Sequence, residues 1–464
     1  MNFRFYDTLS GKIRTLPRPT KNPVRLFVCG PTVYDDSHIG HARTYLIFDS
    51  LVRYLQSQKI KIFYLQNITD IDDKIIKKAT QTNRTIKQVA EKFRVSYLND
   101  MKVLGVKSVN KYAPASNYVK EIKSQIKQLI EKGFAYKTNR GIYFEIKKFK
   151  DYGKLSRQNL SALRPGWRIE TDPNKKDPLD FAIWKFSKST SEPSWPSPWG
   201  RGRPGWHIED TAITEEIFGS SYELHGGGVD LKFPHHESEI AQARALSGKK
   251  YFVKIWLHTG ILKINGEKMA KSLNNFITIK DFLKNTSPEI FRLMILGHHY
   301  RSPLNYTKKL VNETKIQLDD LGKIIAKLQL IGQLGSKLTP NKRYSTEIKK
   351  FKKEFDNALK DDFNTPKALG ATFILIKNIQ PEIWQLTKEQ AKTTKETLEL
   401  SLKSLGLEIS LQNTTKEASK IARDREKLRK NQQFIKADRL RKKINRLGFV
   451  VEDTPLGPFL WPKQ

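Results

Sequence analysis

Several features that define common protein classes are missing from this sequence. It has one cysteine, Cys29, in 464 residues, so it forms neither an internal disulfide nor a zinc cage of several thiolates. No run of about 18 apolar residues is present, which is the length that a membrane-spanning helix requires. Residues 1–25 lack the uninterrupted apolar stretch of a secretory signal peptide. A lone thiol is typical of a reducing compartment, and together these absences predict a cytoplasmic protein without membrane contacts.

Acidic side chains are scarce compared with basic ones. Asp and Glu total 48 against 84 Lys and Arg, which gives a formal net charge of +36. A lysine-rich composition can reflect coding bias and a solvated surface, so the distribution of charge matters more than the total. Residues 420–446 are crowded with basic side chains that only Asp424, Glu426 and Asp438 oppose. Such a local excess is typical of segments that bind the phosphates of nucleic acids.

Strand and helix patterns alternate over the first two thirds of the chain. A short apolar run at 24–29 precedes a Gly-Pro turn and a helical pattern over 42–55, and the alternation resumes with a strand at 222–225. The stretch 148–204 is rich in Pro, Ser, Lys and Trp and is predicted to be a long loop or insertion. Beyond about Lys308, helical periodicity dominates and strand patterns cease. The sequence therefore predicts an α/β fold with a parallel sheet and an insertion, followed by an α-helical bundle.

Two histidines bracket a glycine where the first strand meets the first helix, in the motif His38-Ile39-Gly40-His41. In an open parallel sheet this junction lies at the carboxyl ends of the strands, where ligands bind. A helix N-terminus favours phosphate, and Gly40 would let a nucleotide approach the backbone closely. Considered alone, the two histidines could equally be surface residues at a helix start.

A second motif, Lys268-Met269-Ala270-Lys271-Ser272, carries two lysines on a loop. A mobile loop of this kind can close on the β- and γ-phosphates of ATP and stabilise charge at the α-phosphate. Together the motifs resemble the His-Ile-Gly-His and Lys-Met-Ser-Lys-Ser signatures of class I aminoacyl-tRNA synthetases, with Ala270 at the family's serine. The resemblance implies a Rossmann-like catalytic domain and Mg²⁺ accompanying ATP. We expect ATP use to survive the missing hydroxyl because both cations remain.

Further segments resemble the cysteinyl-tRNA synthetase family in particular. These segments span essentially the whole chain; they are residues 29–34, 69–74, 193–200, 203–209, 226–236 and 452–455. Between them, residues 308–411 resemble the family mainly in their helical character. The resemblance implies that L-cysteine is activated with ATP to cysteinyl-adenylate and transferred to tRNA(Cys) by a monomer. Two alternatives remain at this point. A cysteine:amino-sugar ligase of the mycothiol type would need no basic C-terminal segment, and a non-catalytic RNA-binding relic is supported only by Asp210 and Ala270.

The resemblance also divides the chain into five segments. They are the first half of the catalytic domain (1–110), an insertion (111–204), the second half with the lysine loop (205–307), a helical bundle (308–411) and a small basic anticodon-binding region (412–464). In the last segment, Phe434 and Leu440 are expected to point inward, and Trp461 offers a surface on which an unpaired base could stack.

The resemblance implies one zinc ion per subunit, held by Cys29, Asp210, His235 and Glu239. His235 and Glu239 are four residues apart and would share one face of a helix. Asp210 stands where the family usually has a second cysteine, so a soft thiolate is replaced by a hard carboxylate of the same formal charge. Carboxylate oxygens bind zinc. A weakly bound metal, or a metal-free pocket in which Asp210 makes a structural hydrogen bond, are the alternatives.

The resemblance implies roles for the remaining motif residues without any side-chain nucleophile. The expected ATP and transition-state residues are His38, His41, Lys268 and Lys271; those near the nucleotide are Gly40, Gly226, Gly227, Gly228 and again Lys271; and those near the cysteine substrate are Thr69, Trp206, His225 and Asp230.

Overall fold

The structure is a computed structural model that describes residues 2–17, 21–158, 172–188, 192–270, 273, 275–335, 342–411 and 414–463. The chain forms two units. The first comprises Met1–Pro288, His298–Thr307 and Lys360–Asn364, and the second comprises Glu289–Gly297, Lys308–Leu359 and Thr365–Gln464. No helix in the described ranges is both long and apolar enough to cross a lipid bilayer.

The first unit contains strands and helices in alternation. Its strands are β1 (Arg4–Asp7), β2 (Lys12–Thr15), β3 (Val24–Val28), β4 (Ile62–Ile68), β5 (Lys111–Pro114), β6 (Ala135–Lys137), β7 (Gly141–Phe144), β8 (Phe181–Phe186), β9 (Gly202–Pro204), β10 (Tyr222–Gly228), β11 (Val253–Thr259), β12 (Leu262–Ile264), β13 (Glu267–Lys268) and β14 (Leu304–Tyr306). Its helices are α1 (Ile39–Ser57), α2 (Asp73–Thr82), α3 (Ile86–Val103), α4 (Val119–Glu131), α5 (Ile208–Phe218), α6 (Glu237–Ser247) and α7 (Ile279–Leu283).

A five-stranded parallel sheet with the order β11-β10-β3-β4-β5 confirms the predicted α/β class. The two halves of the sequence pattern join where Leu26 of β3 pairs with Leu224 of β10. Leu26 and Phe27, on successive positions of β3, are both fully buried, as expected for a parallel sheet that is covered on both faces. This pairing brings the carboxyl ends of β3 and β10 side by side.

The stretch 148–204 contains more regular structure than the sequence predicted. Strands β8 and β9 complete a four-stranded antiparallel sheet with the order β6-β7-β8-β9, in which β6 and β7 form a hairpin. Trp184 in β8 is fully buried and meets Trp199 edge to face, with ring centroids 6.2 Å apart. These strands are stabilised by pairing with strands that are distant in sequence. The Pro and Ser residues around them interrupt the local pattern, so the sequence did not predict them.

The second unit is mainly helical, as predicted. Its described helices are α8 (Pro288–Leu296), α9 (Lys308–Leu334), α10 (Lys342–Lys360), α11 (Thr365–Ile379), α12 (Lys388–Lys403), α13 (Lys416–Lys430) and α14 (Phe434–Arg446). The expectation that strands cease beyond Lys308 is wrong, because β15 (Phe449–Thr454) and β16 (Gly457–Pro462) form an antiparallel hairpin. The turn at Gly457, with φ of 104°, lets two short strands pair where the sequence suggested only a tail.

One expectation for the C-terminal side chains is also wrong. Phe434 begins α14 after a break in the helical stretch and is 54% exposed, whereas Leu440 does pack against the small apolar core of this region. The Trp461 indole donates a hydrogen bond to Asp319 at 2.7 Å and packs closely over Gly322, and the side chain is partly exposed. An isolated aromatic residue at a strand end does not reveal in sequence which face it occupies.

Candidate active site and metal centre

The two histidines of the first motif form a stacked pair at the start of α1. His38 caps the helix by accepting a hydrogen bond from the His41 backbone N–H at its Nδ1, at 3.2 Å. The ring centroids lie 3.7 Å apart. Burial lowers the pKa of His41 to about 4, so its imidazole is neutral near pH 7, and no described residue hydrogen-bonds its buried Nδ1. A neutral imidazole at a helix N-terminus can donate to a phosphate oxygen.

The chain that follows the two-lysine loop runs alongside the start of α1. The Ile39 N–H donates to the Ile277 carbonyl at 3.1 Å, and the Ile279 N–H donates to the Ser37 carbonyl at 2.9 Å. These backbone bonds fix the loop's C-terminal end beside the helix N-terminus. The two motifs, more than 200 residues apart in sequence, therefore meet in the fold.

The loop itself contacts the first motif through Met269. A Cβ atom built on Gly40 would lie 3.2 Å from the Met269 Cε atom and 2.9 Å from the His38 ring, so glycine permits this approach. Lys268, at the end of β13, is exposed. Lys271, the second predicted cation, lies outside the described residues.

Asn275 holds the loop in shape, and the motif analysis gave it no role. Its side-chain oxygen accepts the Ala270 N–H at 2.8 Å, and its Nδ2 donates to the Lys268 carbonyl at 3.1 Å. One amide therefore bridges two backbone groups on either side of Met269. The polar side chain five residues after Ala270 was the only sequence signal for this bridge.

Four side chains converge at the carboxyl end of β3. Cys29 directly follows that strand, and Asp210 lies in α5. His235 lies two residues before α6, and Glu239 lies in its first turn. The Cys29 Sγ atom is 3.3 Å from Asp210 Oδ2 and 3.8 Å from Glu239 Oε1. His235 Nε2 is 3.0 Å from an oxygen of each carboxylate. All four residues are buried, and their donor atoms lie within 4.8 Å of one another.

The acidic groups of this cluster oppose one another's ionisation. Burial raises the pKa of the Cys29 thiol well above its usual value, and the Glu239 and Asp210 carboxylates raise it further. Burial also raises the pKa of Glu239 to about 7. Burial disfavours a charge on His235, but the two carboxylates outweigh that effect and raise its pKa to about 10. An environment of this kind favours a cation, which would stabilise all three anions at once.

The donor atoms fit a zinc ion. Asp210 Oδ1 and Glu239 Oε2 are buried, and neither has a hydrogen-bond partner among the described residues. An unsatisfied buried polar atom costs about 1–3 kcal/mol, which a ligand bond would remove. Thiolate sulfur, imidazole nitrogen and carboxylate oxygen are all zinc ligands. The carboxylate of Asp210 therefore leaves the donor set compatible with the metal.

Two of the residues expected near the amino acid contact the cluster. The Trp206 ring stacks on His235 with a centroid distance of 4.3 Å, and Trp206 itself is 37% exposed. His225 Nε2 lies 3.5 Å from the Cys29 Sγ atom. The partly exposed indole thus forms a wall between the buried cluster and solvent.

The other two expected residues lie in different surroundings. Thr69 is buried and donates its hydroxyl proton to Glu209, a carboxylate that Asn67 also contacts at 3.3 Å. Asp230 is exposed, and its charge acts on His41, where it raises the pKa against the larger effect of burial. Glu209 is a buried carboxylate whose charge acts on Cys29, and no role was predicted for it from the sequence.

Protein side chains occupy the space beside two of the three clustered glycines. A Cβ on Gly226 would lie 2.2 Å from the Phe48 ring, and one on Gly227 would lie 2.7 Å from the His236 ring. Gly228 is partly exposed, beside the Asp230 carboxylate. The absence of a side chain at Gly226 and Gly227 therefore makes room for the Phe48 and His236 rings.

Comparisons with protein families identify the catalytic and helical regions separately. Residues 16–316 match the model of the class I tRNA synthetase (C) catalytic domain. Residues 354–410 match the DALR domain. The two matches cover most of the first unit and part of the second.

Curated relatives match nearly the whole chain. The cysteine–tRNA ligase of Thermoplasma volcanium is 42% identical over 453 residues, which is 97% of each protein. The enzyme of the same name from Thermococcus gammatolerans is 41% identical over 98% of each protein. The one from Thermoplasma acidophilum is 51% identical over 70% of this chain and 72% of the relative.

Solved structures share the fold at low sequence identity. Mycobacterium tuberculosis methionyl-tRNA synthetase with methionyl-adenylate superposes with a TM-score of 0.59 at 12% identity, over 83% of this chain and 90% of that one. LeuRS from Agrobacterium radiobacter K84, in a ternary complex, gives a TM-score of 0.63 at 9% identity, over 85% and 84%.

Proposed function

Because this chain belongs to the cysteine–tRNA ligase family of class I synthetases, we propose that it activates L-cysteine with ATP and transfers it to tRNA(Cys) through the residues described above. The observation that carries this proposal is the meeting of three features at one edge of the parallel sheet. They are the stacked histidines, the docked lysine loop and the buried cluster around Cys29. The carboxyl edge of such a sheet is where α/β enzymes bind their ligands.

The first step is attack of the cysteine carboxylate on the α-phosphorus of ATP, with pyrophosphate leaving. His38 and His41 hydrogen-bond the phosphate oxygens, and Lys268 and Lys271 stabilise the charge that develops on them. Mg²⁺ accompanies the nucleotide. The ribose hydroxyl of the terminal tRNA nucleotide then attacks the carbonyl carbon of the adenylate, which forms the ester and releases AMP. Neither step needs a side-chain nucleophile, because positioning and electrostatics supply the catalysis.

A metal ion bound by the cluster would select the amino acid. Cys29, Asp210, His235 and Glu239 would hold a zinc ion, which when bound would favour a thiolate over a neutral hydroxyl as an added ligand. Serine and cysteine are nearly equal in shape, so a pocket that relied on shape alone would separate them poorly. Trp206 and His225 border the cluster, while Thr69 or Asp230 binds the substrate ammonium.

The test of this function is amino-acid-dependent ATP–pyrophosphate exchange, run with cysteine and with serine, with zinc added or chelated. We expect exchange with cysteine that is lost on chelation and is negligible with serine. Cysteine exchange that survives chelation would overturn the zinc assignment and keep the enzyme. No exchange with either amino acid, from a folded protein that still binds tRNA, would favour the RNA-binding relic.

Asn275 provides the first prediction. Asn275→Ala releases the loop between Lys268 and Ala270, and it is expected to lower the exchange rate about tenfold to a hundredfold because misplaced catalytic groups lose that much. The KM for cysteine should be unchanged, since the loop faces the nucleotide. Asn285→Ala, at an exposed position that follows α7, is the matched control and should retain the full rate. Equal losses in both variants would show that the bridge has no positioning role.

The C-terminal region binds the tRNA. Basic residues crowd α13 and α14, and the exposed Phe434 ring lies beneath the Arg429 guanidinium at 5.9 Å. An exposed aromatic ring with a cation above it is suited to stacking on an unpaired base. Arg425, by contrast, is buried and paired with Asp453, so it supports the fold and does not contact phosphate.

Phe434→Ala is therefore expected to weaken tRNA binding about tenfold, because base stacking on an aromatic ring contributes about 1–3 kcal/mol. Filter binding at fixed salt measures the loss, and cysteine-dependent exchange without tRNA should be unchanged. Leu400→Ala, at a 68% exposed position of α12, is the control that should leave affinity intact. Unchanged affinity in Phe434→Ala would contradict the stacking role.

We further propose that the protein is a monomer and that it is located in the cytoplasm.

A further inference from the structure

A second set of metal-binding donors overlaps the cluster described above. We call Cys29, Asp210, His235 and Glu239 the carboxylate set, and Cys29, His225, His236 and Glu239 the imidazole set. The donor atoms of the imidazole set also lie within 4.8 Å of one another, and all four residues are buried. The Cys29 Sγ atom is 3.1 Å from His236 Nε2 and 3.5 Å from His225 Nε2. The lone thiol therefore lies between the two sets.

Glu239 serves both sets with different oxygen atoms. Its Oε1 is 3.0 Å from His235 Nε2, and its Oε2 is 3.5 Å from His225 Nε2. No described residue hydrogen-bonds Oε2. The carboxylate thus presents one oxygen to each set, and the oxygen on the imidazole side is the one that needs a partner.

Outer contacts hold both additional imidazoles in place. Nδ1 of His225 is 2.8 Å from the Tyr222 hydroxyl, and Nδ1 of His236 is 2.8 Å from His258 Nε2. The missing side chain at Gly227 admits the His236 ring. Both rings therefore use Nδ1 for an outer partner and direct Nε2 toward Cys29, which is the arrangement typical of metal-bound histidines.

The charges of the two sets differ. A thiolate and two carboxylates around a dication leave a net charge of −1 in the carboxylate set, whereas a thiolate and one carboxylate leave the imidazole set neutral. In the intact cluster the Asp210 carboxylate stays buried beside either position, so the total charge is the same for both. With the ion in the imidazole set, Asp210 and His235 remain hydrogen-bonded to each other at 3.0 Å. Loss of the Asp210 carboxylate leaves the imidazole set with zinc neutral, and a neutral buried site avoids the cost of an unpaired charge.

We propose that the imidazole set is a second binding site for zinc, which shares Cys29 and Glu239 with the carboxylate set. Because the shared ligands can serve one ion at a time, the cluster binds a single zinc with two alternative positions. Removal of the Asp210 carboxylate leaves all four ligands of the imidazole set in place. This proposal rests on the zinc binding proposed above.

The test uses Asp210→Asn, which removes a charge with little change in volume. We expect this variant to keep one equivalent of zinc, with an affinity within about tenfold of the unaltered chain. X-ray absorption at the zinc edge should then count two imidazoles, whereas the carboxylate set supplies one. Adding His236→Gln to this variant should weaken binding about a hundredfold or more, because a direct ligand is lost.

His207→Gln, also added to Asp210→Asn, is the matched control. His207 is a buried imidazole 2.8 Å from His235 that belongs to neither set, so zinc binding should persist. Loss of zinc from Asp210→Asn alone, or an absorption spectrum that shows a single imidazole ligand, would contradict the second binding site. If the Asp210→Asn, His236→Gln protein fails to fold, the absorption spectrum of Asp210→Asn decides. Failure of the unaltered chain to bind zinc would instead overturn the metal assignment under the proposed function.

Discussion

Replacement of Cys29 by alanine is expected to abolish zinc binding and to lower cysteine-dependent ATP–pyrophosphate exchange about a thousandfold or more. Cys29 is the one sulfur ligand available to either donor set, so no rearrangement within the cluster replaces it. The loss of a direct metal ligand removes several kcal/mol of binding, and each tenfold change in rate corresponds to about 1.4 kcal/mol. Metal analysis of the purified variant and the exchange assay measure the two effects.

The affinity of the Cys29→Ala protein for ATP is the internal control. In the proposed function the nucleotide contacts His38, His41 and the lysine loop, so its dissociation constant should match that of the unaltered chain. A folded Cys29→Ala protein that exchanges normally with cysteine would contradict the role of the cluster. A parallel loss of ATP binding would indicate damage to the fold and not a specific loss of metal.

Lys268→Ala is expected to lower the rate of exchange about a hundredfold to a thousandfold, which is the usual effect of removing one group that stabilises charge in the transition state. Zinc content and the KM for cysteine should be unchanged, because the cation acts on the phosphates. Steady-state exchange at saturating cysteine and ATP measures the effect. The exposed position of Lys268 makes misfolding of the variant a minor concern.

Lys263→Ala is the matched control for this experiment. Lys263 lies on β12 directly opposite Lys268 in the antiparallel register, so it carries the same charge in the same small sheet. It does not belong to the loop, and its loss should change the rate less than about twofold, as for most surface substitutions. Similar losses in both variants would mean that the general charge of this sheet, and not the motif lysine, supports the reaction.

Strands and helices whose sequence signal is local were predicted correctly. The strand expected at 24–29 is Val24–Val28, and the helix expected over 42–55 lies within Ile39–Ser57. Both carry their own signal, an apolar run in one case and helical periodicity in the other. Segments whose stability comes from distant partners were missed, namely the insertion strands Phe181–Phe186 and Gly202–Pro204 and the C-terminal hairpin.

The sequence by itself determined the chemistry available to this protein. It supplies the two motifs to which nucleotide binding is assigned in the proposed function, a single thiol, and an imidazole and a carboxylate four residues apart, because these depend only on residue type and local spacing. The tertiary structure decided which of these groups meet. Cys29 and Asp210 are 181 residues apart, and only the pairing of β3 with β10 and the packing of α5 and α6 bring them within 3.3 Å. The second pair of imidazoles and the Asn275 bridge have the same origin, since their contacts arise from packing and leave no pattern in the chain.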